Sequence, residues 1–157
     1  MDFEVVRKDG FKVCGLSVEL TPSQSENYKI IQSHWKNFNY DLRNKNIVLG
    51  KNWIKYGIIK KLNGKYFYMT AIPSNADISG FETEEIESGR YLLFSHVGKL
   101  NLITTTINDI YRVTIPKSGY SLNESRTIIH YEQYDCRFNW GKADSVIDII
   151  VPISENT

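Results

Sequence analysis

The sequence predicts an α+β fold in which a strand-helix-strand-strand unit occurs twice. The two units would pair about a pseudo-twofold axis into an antiparallel sheet with two helices and a central groove. Two observations carry this expectation. Six segments read as strands and two as amphipathic helix faces, and their order in the first half of the chain repeats in the second. Short matches reinforce the repeat: Lys55-Tyr56-Gly57 aligns with His130-Tyr131-Glu132, and Ala71-Ile72-Pro73-Ser74 with Ile150-Val151-Pro152-Ile153-Ser154.

In the first half, Phe11 to Leu20 alternates with period two and reads as a strand. Thr21-Pro22-Ser23 breaks it, and Ser23 or Ser25 can cap a helix at this point. Tyr28, Ile31, Trp35, Phe38 and Leu42 then step along one helix face, which Asn44-Lys45-Asn46 ends. Trp53 to Lys60 reads as a strand, Leu62-Asn63-Gly64-Lys65 as a hairpin turn, and Tyr66 to Ile72 as the returning strand. In the second half, a turn at Gly89 leads into a strand over Arg90 to His96. Leu100, Ile103, Ile107, Ile110 and Tyr111 mark a helix, which Pro116-Lys117-Ser118-Gly119 is expected to stop. Ile128 to Cys136 and Ser145 to Val151 supply the last two strands. A single domain is expected, with halves at about 1–79 and 80–157.

Length and charge narrow the function classes. A chain of 157 residues is long enough to bury a core. Its 19 basic and 18 acidic residues are well mixed, with no field or basic block to attract nucleic acid or a membrane. The start, Met1-Asp2-Phe3-Glu4, lacks the basic and apolar regions of a signal peptide, and no apolar run is long enough for a membrane helix. Cys14 and Cys136 then read as free thiols, and the expected location is cytoplasmic. Ten tyrosines against seven phenylalanines tilt the aromatic content toward a binding surface, because a phenol hydroxyl needs a partner.

The chain shows no catalytic constellation. His34, His96 and His130 have no metal-ligand spacing and read as surface or satisfied packing. No phosphate-binding glycine loop or serine-nucleophile motif is present, and Cys136 has no base beside it. No cofactor is expected. Glu132 is the anomaly, a carboxylate inside the aromatic strand His130-Tyr131-Glu132-Gln133-Tyr134. On an extended strand His130, Glu132 and Tyr134 share one face, and Tyr131, Gln133 and Asp135 the other. Glu132 therefore faces either solvent or the groove. Within a groove it would suit a cationic ligand, with surrounding rings adding about 0.5–2 kcal/mol each, and burial would raise its pKa.

The stretch from Ile86 to Ser154 resembles the GyrI-like, AraC-type effector-binding domains. The resemblance rests on Gly89-Arg90-Tyr91-Leu92-Leu93-Phe94, Pro116-Lys117-Ser118-Gly119-Tyr120, Tyr131-Glu132-Gln133-Tyr134-Asp135-Cys136-Arg137-Phe138 and Ile147-Asp148-Ile149-Ile150-Val151-Pro152-Ile153. The first half agrees less distinctly, through Tyr56-Gly57 and the Tyr66 to Pro73 strand. The resemblance implies a duplicated architecture and an acid at Glu132 that contacts cationic or amphipathic lipophilic ligands. It also implies groove-lining aromatics, for which Tyr134, Tyr56, Tyr68, Trp35, Phe38 and Tyr111 are the candidates, with packing a rival role for Trp35 and Phe38. Asp9 leaves no room before it for a helix-turn-helix, so the expectation is a stand-alone small-molecule binder without direct nucleic-acid contact, or one acting through a partner chain. Two alternatives stay open: a hydrolase acting on small reactive compounds in the same groove, and an inhibitor of a protein partner such as a gyrase modulator.

Overall fold

The computed structural model describes residues 1–74 and 76–156. Strands β1 (Glu4–Lys8) and β2 (Phe11–Glu19) lead into helix α1 (Gln24–Asn44), followed by the hairpin β3 (Lys55–Leu62) and β4 (Lys65–Pro73). Strands β5 (Glu82–Ile86) and β6 (Gly89–Val97) precede a second helical stretch. This comprises a tight turn at Leu100–Leu102, α2 (Ile103–Asp109), a π-helical turn at Ile110–Thr114 and α3 (Ile115–Ser118). Strands β7 (Ile128–Tyr134) and β8 (Val146–Pro152) complete the chain.

Local chemistry explains these elements. The Ser23 side chain accepts the Glu26 backbone N–H at 3.3 Å and caps α1. Asn63 and Gly64 both take positive φ, 52° and 77°, the conformation of a tight two-residue hairpin turn. As the sequence suggested, the second helix stops within Pro116-Lys117-Ser118-Gly119, though not at Pro116 itself. Pro116 stands at the start of α3, where the amide hydrogen it lacks is not needed, after a π-helical turn in which the Ile115 N–H reaches Ile110 O. The helix ends at Gly119, with φ of 83°.

All eight strands form one antiparallel sheet in the order β1-β6-β8-β7-β3-β4-β2-β5. The duplication is visible in its register. Aligning Lys55-Tyr56-Gly57 with His130-Tyr131-Glu132 sets Lys55, Gly57 and Ile59 of β3 against His130, Glu132 and Tyr134 of β7. The cross-strand pairs Lys55–Tyr134 and Ile59–His130 then exchange, and Gly57–Glu132 maps onto itself. The pseudo-twofold axis therefore passes between Gly57 and Glu132. Strands β1 and β5 are additions to the expected units. Each precedes the first strand of one half but pairs with that of the other, β1 with β6 and β5 with β2, so the halves exchange arms.

Both faces of the sheet are covered. On one, α1 packs on β2 and β4 through Phe38, Leu42, Cys14 and Ile72. The second helical stretch packs on β6 and β8 through Ile103, Ile110, Phe94 and Ile149. On the other face, Val13, Tyr56, Met69, Ile86, Tyr91 and Tyr131 join strands from both ends of the sheet into one cluster, which requires the sheet to curl on itself. The central strands β3 and β7 are left beneath the gap between the two helices. The helix-side residues of β7 are Glu132 and its neighbours.

Candidate functional site

Glu132 points into that gap and is 5 % exposed. A buried carboxylate needs donors, and here two phenols supply them. Tyr68 of β4 donates to Glu132 Oε1 at 2.7 Å and Tyr134 of β7 donates to the same oxygen at 2.8 Å. The Trp35 indole N–H of α1 donates in turn to the Tyr68 hydroxyl at 3.0 Å. No hydrogen bond reaches Oε2 from the described residues, and none of the ion pairs among them involves Glu132. The acid is therefore held in place by neutral groups and has no counter-cation.

The space for this arrangement comes from Gly57, directly across from Glu132. A Cβ on Gly57 would lie 1.9 Å from the Tyr68 hydroxyl and 2.7 Å from Glu132 Oε1. One half of the repeat thus contributes the acid, and the other contributes the room beside it. Burial raises the Glu132 pKa above its ordinary value, and the two phenolic hydrogen bonds pull partly the other way. Burial, reinforced by the carboxylate, holds Tyr68 and Tyr134 well above the ordinary phenol range, so both remain donors.

Above Glu132 a cavity of about 190 Å³ separates the helices, with Tyr28, Ile31 and Trp35 on one wall and Ile103 and Ile107 on the other. Beyond lies an outer cavity of about 340 Å³ lined by Trp53, Lys55, Phe138 and Trp140. Gln32, Trp35, Leu100 and Tyr134 belong to both and form the partition. Trp35 meets Tyr134 nearly edge-on at 5.1 Å, and Tyr134 meets Phe138 in the same way at 5.0 Å. The helices are bridged by Gln24 Nε2, which donates to Asn108 Oδ1 at 3.1 Å. In a further cavity of about 350 Å³, around Glu84, Tyr91 and Arg126, the cation is already satisfied: Arg126 pairs with Glu87 at 3.2 Å and donates to the Tyr91 hydroxyl and Ser88 O.

Of the residues singled out in the sequence, Glu132, Tyr134, Tyr68 and Trp35 converge in one hydrogen-bonded cluster. Tyr111 is half-buried and is not among the residues lining the inner cavity; its hydroxyl is 2.7 Å from His130 Nδ1. Phe38 is a core residue under α1, fully buried against Phe81 and edge-on to Trp35. Tyr56 is on the opposite face, packed on Phe11 and Tyr131, and does not line the groove. Strand parity explains that placement: Gly57, not Tyr56, shares the face of Glu132. Gly57 and His130 were not expected at the site. The match of Tyr56-Gly57 with Tyr131-Glu132 already held the signal for the first, because it sets Gly57 against the acid.

Among the described residues no group of three His, Cys, Asp or Glu side chains is placed to hold a metal ion. No helix among them is long and apolar enough to cross a membrane.

Comparison with known proteins agrees with this architecture. The fold matches SAV2435, solved bound to tetraphenylphosphonium, at a TM-score of 0.78 and 13% identity, over 99% of this chain and 95% of that one. An integron cassette protein from Vibrio cholerae matches at 0.63 and 15% identity, over 97% of this chain and 95% of the other. The EcmrR C-terminal domain matches at 0.65 and 11% identity, over 98% and 97%. No curated protein sequence is similar enough to count as a match. Residues 1–154 match the family described as the GyrI-like small molecule binding domain, and the chain belongs to that family.

Proposed function

We propose that this domain binds lipophilic, cationic or amphipathic small molecules in the groove between its helices, with Glu132 as the counter-charge. The carrying observation is a buried carboxylate that lacks a cation, with one oxygen fixed by two phenols and the other unpartnered, at a cavity lined by aliphatic side chains and the rings of Tyr28, Trp35 and Tyr134. The rings favour a delocalised or bulky cation, because they offer dispersion and cation–π contact without demanding directional hydrogen bonds. Tetraphenylphosphonium, the ligand of SAV2435, has this chemistry.

Ligand pockets span roughly 300–1,000 Å³, so the inner cavity alone is too small for such a molecule. Joined to the outer one it enters that range. A molecule of that size needs the two cavities joined, and Gln32, Trp35, Leu100 and Tyr134, which line both, are the residues that would have to give way. A binder of this kind acts by holding the compound or by passing its occupancy to a partner chain.

A pH titration tests the charge pairing. In the empty groove burial favours the protonated acid, while a bound cation favours the carboxylate. Affinity for tetraphenylphosphonium is expected to rise as pH increases from the ordinary value of 4.5 toward neutrality, then level off. Calorimetry in buffers of different ionisation enthalpy should record proton release on binding within that range. Flat affinity with no proton exchange would contradict the pairing.

A hydrolase is the second reading. Its support is the raised pKa of an acid inside a cavity, as a general acid–base group requires. Turnover of small electrophilic compounds by the wild-type chain, lost in Glu132→Gln, would favour it over simple binding.

A further inference from the structure

We propose that His130 is a second anchor in the same groove, a hydrogen-bond donor that selects cations carrying an acceptor oxygen beside their charged centre. This inference rests on the reading of Glu132 as the cation site and specifies the class of cation it takes.

His130 stands two residues before Glu132 on the same face of β7 and lines the same inner cavity. Its ring is buried, and Nε2 is a buried nitrogen with no partner among the described residues. Its Nδ1 is 2.7 Å from the Tyr111 hydroxyl, which has no other partner among them. With the phenol taken as the donor, that contact sets the tautomer. Burial pushes the Tyr111 pKa up, so the phenol keeps its hydrogen, and Nδ1 is the acceptor within reach. A neutral imidazole that accepts at Nδ1 carries its own hydrogen on Nε2. Burial lowers the His130 pKa to about 4, so the ring stays neutral near pH 7 and does not repel a cation at Glu132.

The result is an unmatched N–H donor two residues along β7 from a carboxylate with one unmatched oxygen. Buried donors are rarely left unpaired, and each costs free energy until it finds an acceptor. Along a strand, two residues span about 6–7 Å. A ligand that satisfies both groups places a carbonyl or ether oxygen about that far from its positive centre. A purely hydrocarbon cation leaves His130 Nε2 unpaired. Tyr111 is then a positioning residue, acting through the tautomer it imposes.

Two cations test this: tetraphenylphosphonium, and its (4-acetylphenyl)triphenylphosphonium analogue, whose carbonyl lies at a matching distance from phosphorus. Wild-type protein should bind the acetyl compound about five-fold more tightly, the value of one net hydrogen bond. His130→Gln, which keeps an amide N–H near the Nε2 position, should retain that preference. His130→Leu should bring the ratio of the two affinities to about one, and that ratio, not the affinity for tetraphenylphosphonium itself, is the readout. Circular dichroism and melting curves check that both variants fold. Equal binding of the two cations by the wild type, or a preference unchanged in His130→Leu, would overturn the proposal. So would equal weakening of both cations by His130→Leu, which would assign the ring to packing alone. Glu132→Gln separates this from the parent reading. If it weakens both cations while the acetyl preference is absent, the cation site stands and the His130 anchor falls. If it weakens neither, the cation site itself is wrong, and if neither cation binds the wild type both readings fall.

Discussion

Replacing Glu132 by Gln is expected to weaken tetraphenylphosphonium binding by at least about 30-fold, a loss of about 2 kcal/mol or more, without loss of the fold. The substitution keeps side-chain length and leaves an amide oxygen to accept from Tyr68 and Tyr134, so the internal hydrogen bonds survive. Only the charge is removed. In the empty protein that charge is a burden, because burial has raised the Glu132 pKa above its unfolded value. A carboxyl group shifted this way favours folding below its unfolded pKa, and that contribution is lost as pH rises through the folded pKa. The variant should therefore melt no earlier than the wild type at neutral pH, while titration shows the affinity loss. Isothermal calorimetry and differential scanning calorimetry on the same two samples read both quantities. Affinity unchanged in Glu132→Gln would remove the carboxylate from the site. Lost affinity together with a collapsed melting temperature would mean that Glu132 is structural instead.

The second large effect lies across the strand pair. Gly57→Ala puts a methyl group 1.9 Å from the Tyr68 hydroxyl and 2.6 Å from its Cζ. Tyr68 has no room to retreat, being fully buried and tied to both Glu132 and Trp35. Overpacking of this kind costs about 1–3 kcal/mol, and a broken hydrogen bond to a buried charge adds about 1–3 kcal/mol. At roughly 2–4 °C per kcal/mol for a domain of this size, the melting temperature should fall by about 4–24 °C. Cation affinity should fall with it, since Glu132 Oε1 loses a donor. Gly141→Ala is the control, because nothing lies within 4 Å of a Cβ there, and it should leave both quantities unchanged. A Gly57→Ala protein as stable and as tight-binding as the wild type would show that Tyr68 does not stand where the packing puts it.

These two residues also mark how far the sequence could be read. Strand parity put His130, Glu132 and Tyr134 on one face, and the structure keeps them there, because alternation within a strand is fixed by backbone geometry. The α1 stripe of Trp35, Phe38 and Leu42 was equally legible, for the same kind of reason at helical period. Parity does not say which face of a neighbouring strand is which, and Tyr56 shows the consequence. Strand β3 is buried on both faces, so composition alone could not choose between Tyr56 and Gly57 as the neighbour of the acid. The internal repeat could, because it sets Tyr56 against Tyr131 and Gly57 against Glu132. Strands β1 and β5 were invisible for a different reason. Five residues each and largely charged, EVVRK and ETEEI lack the apolar run that marks a strand, and they form only because an exposed sheet edge offers them backbone partners. The helix stop within Pro116-Lys117-Ser118-Gly119 was legible, and the structure places it at Gly119, with Pro116 taken into α3 after a π-helical turn.

The identity of the groove as the binding site is open to one direct measurement. Crystals soaked with tetraphenylarsonium, the heavier isostere of tetraphenylphosphonium, would locate the cation by the anomalous signal of arsenic. The signal should lie between α1 and α2, beside Glu132 Oε2, with the partition between the two cavities opened. An arsenic peak on the opposite face of the sheet, near Tyr56 and Tyr131, or on the outer surface with the Glu132 groove still closed, would contradict it.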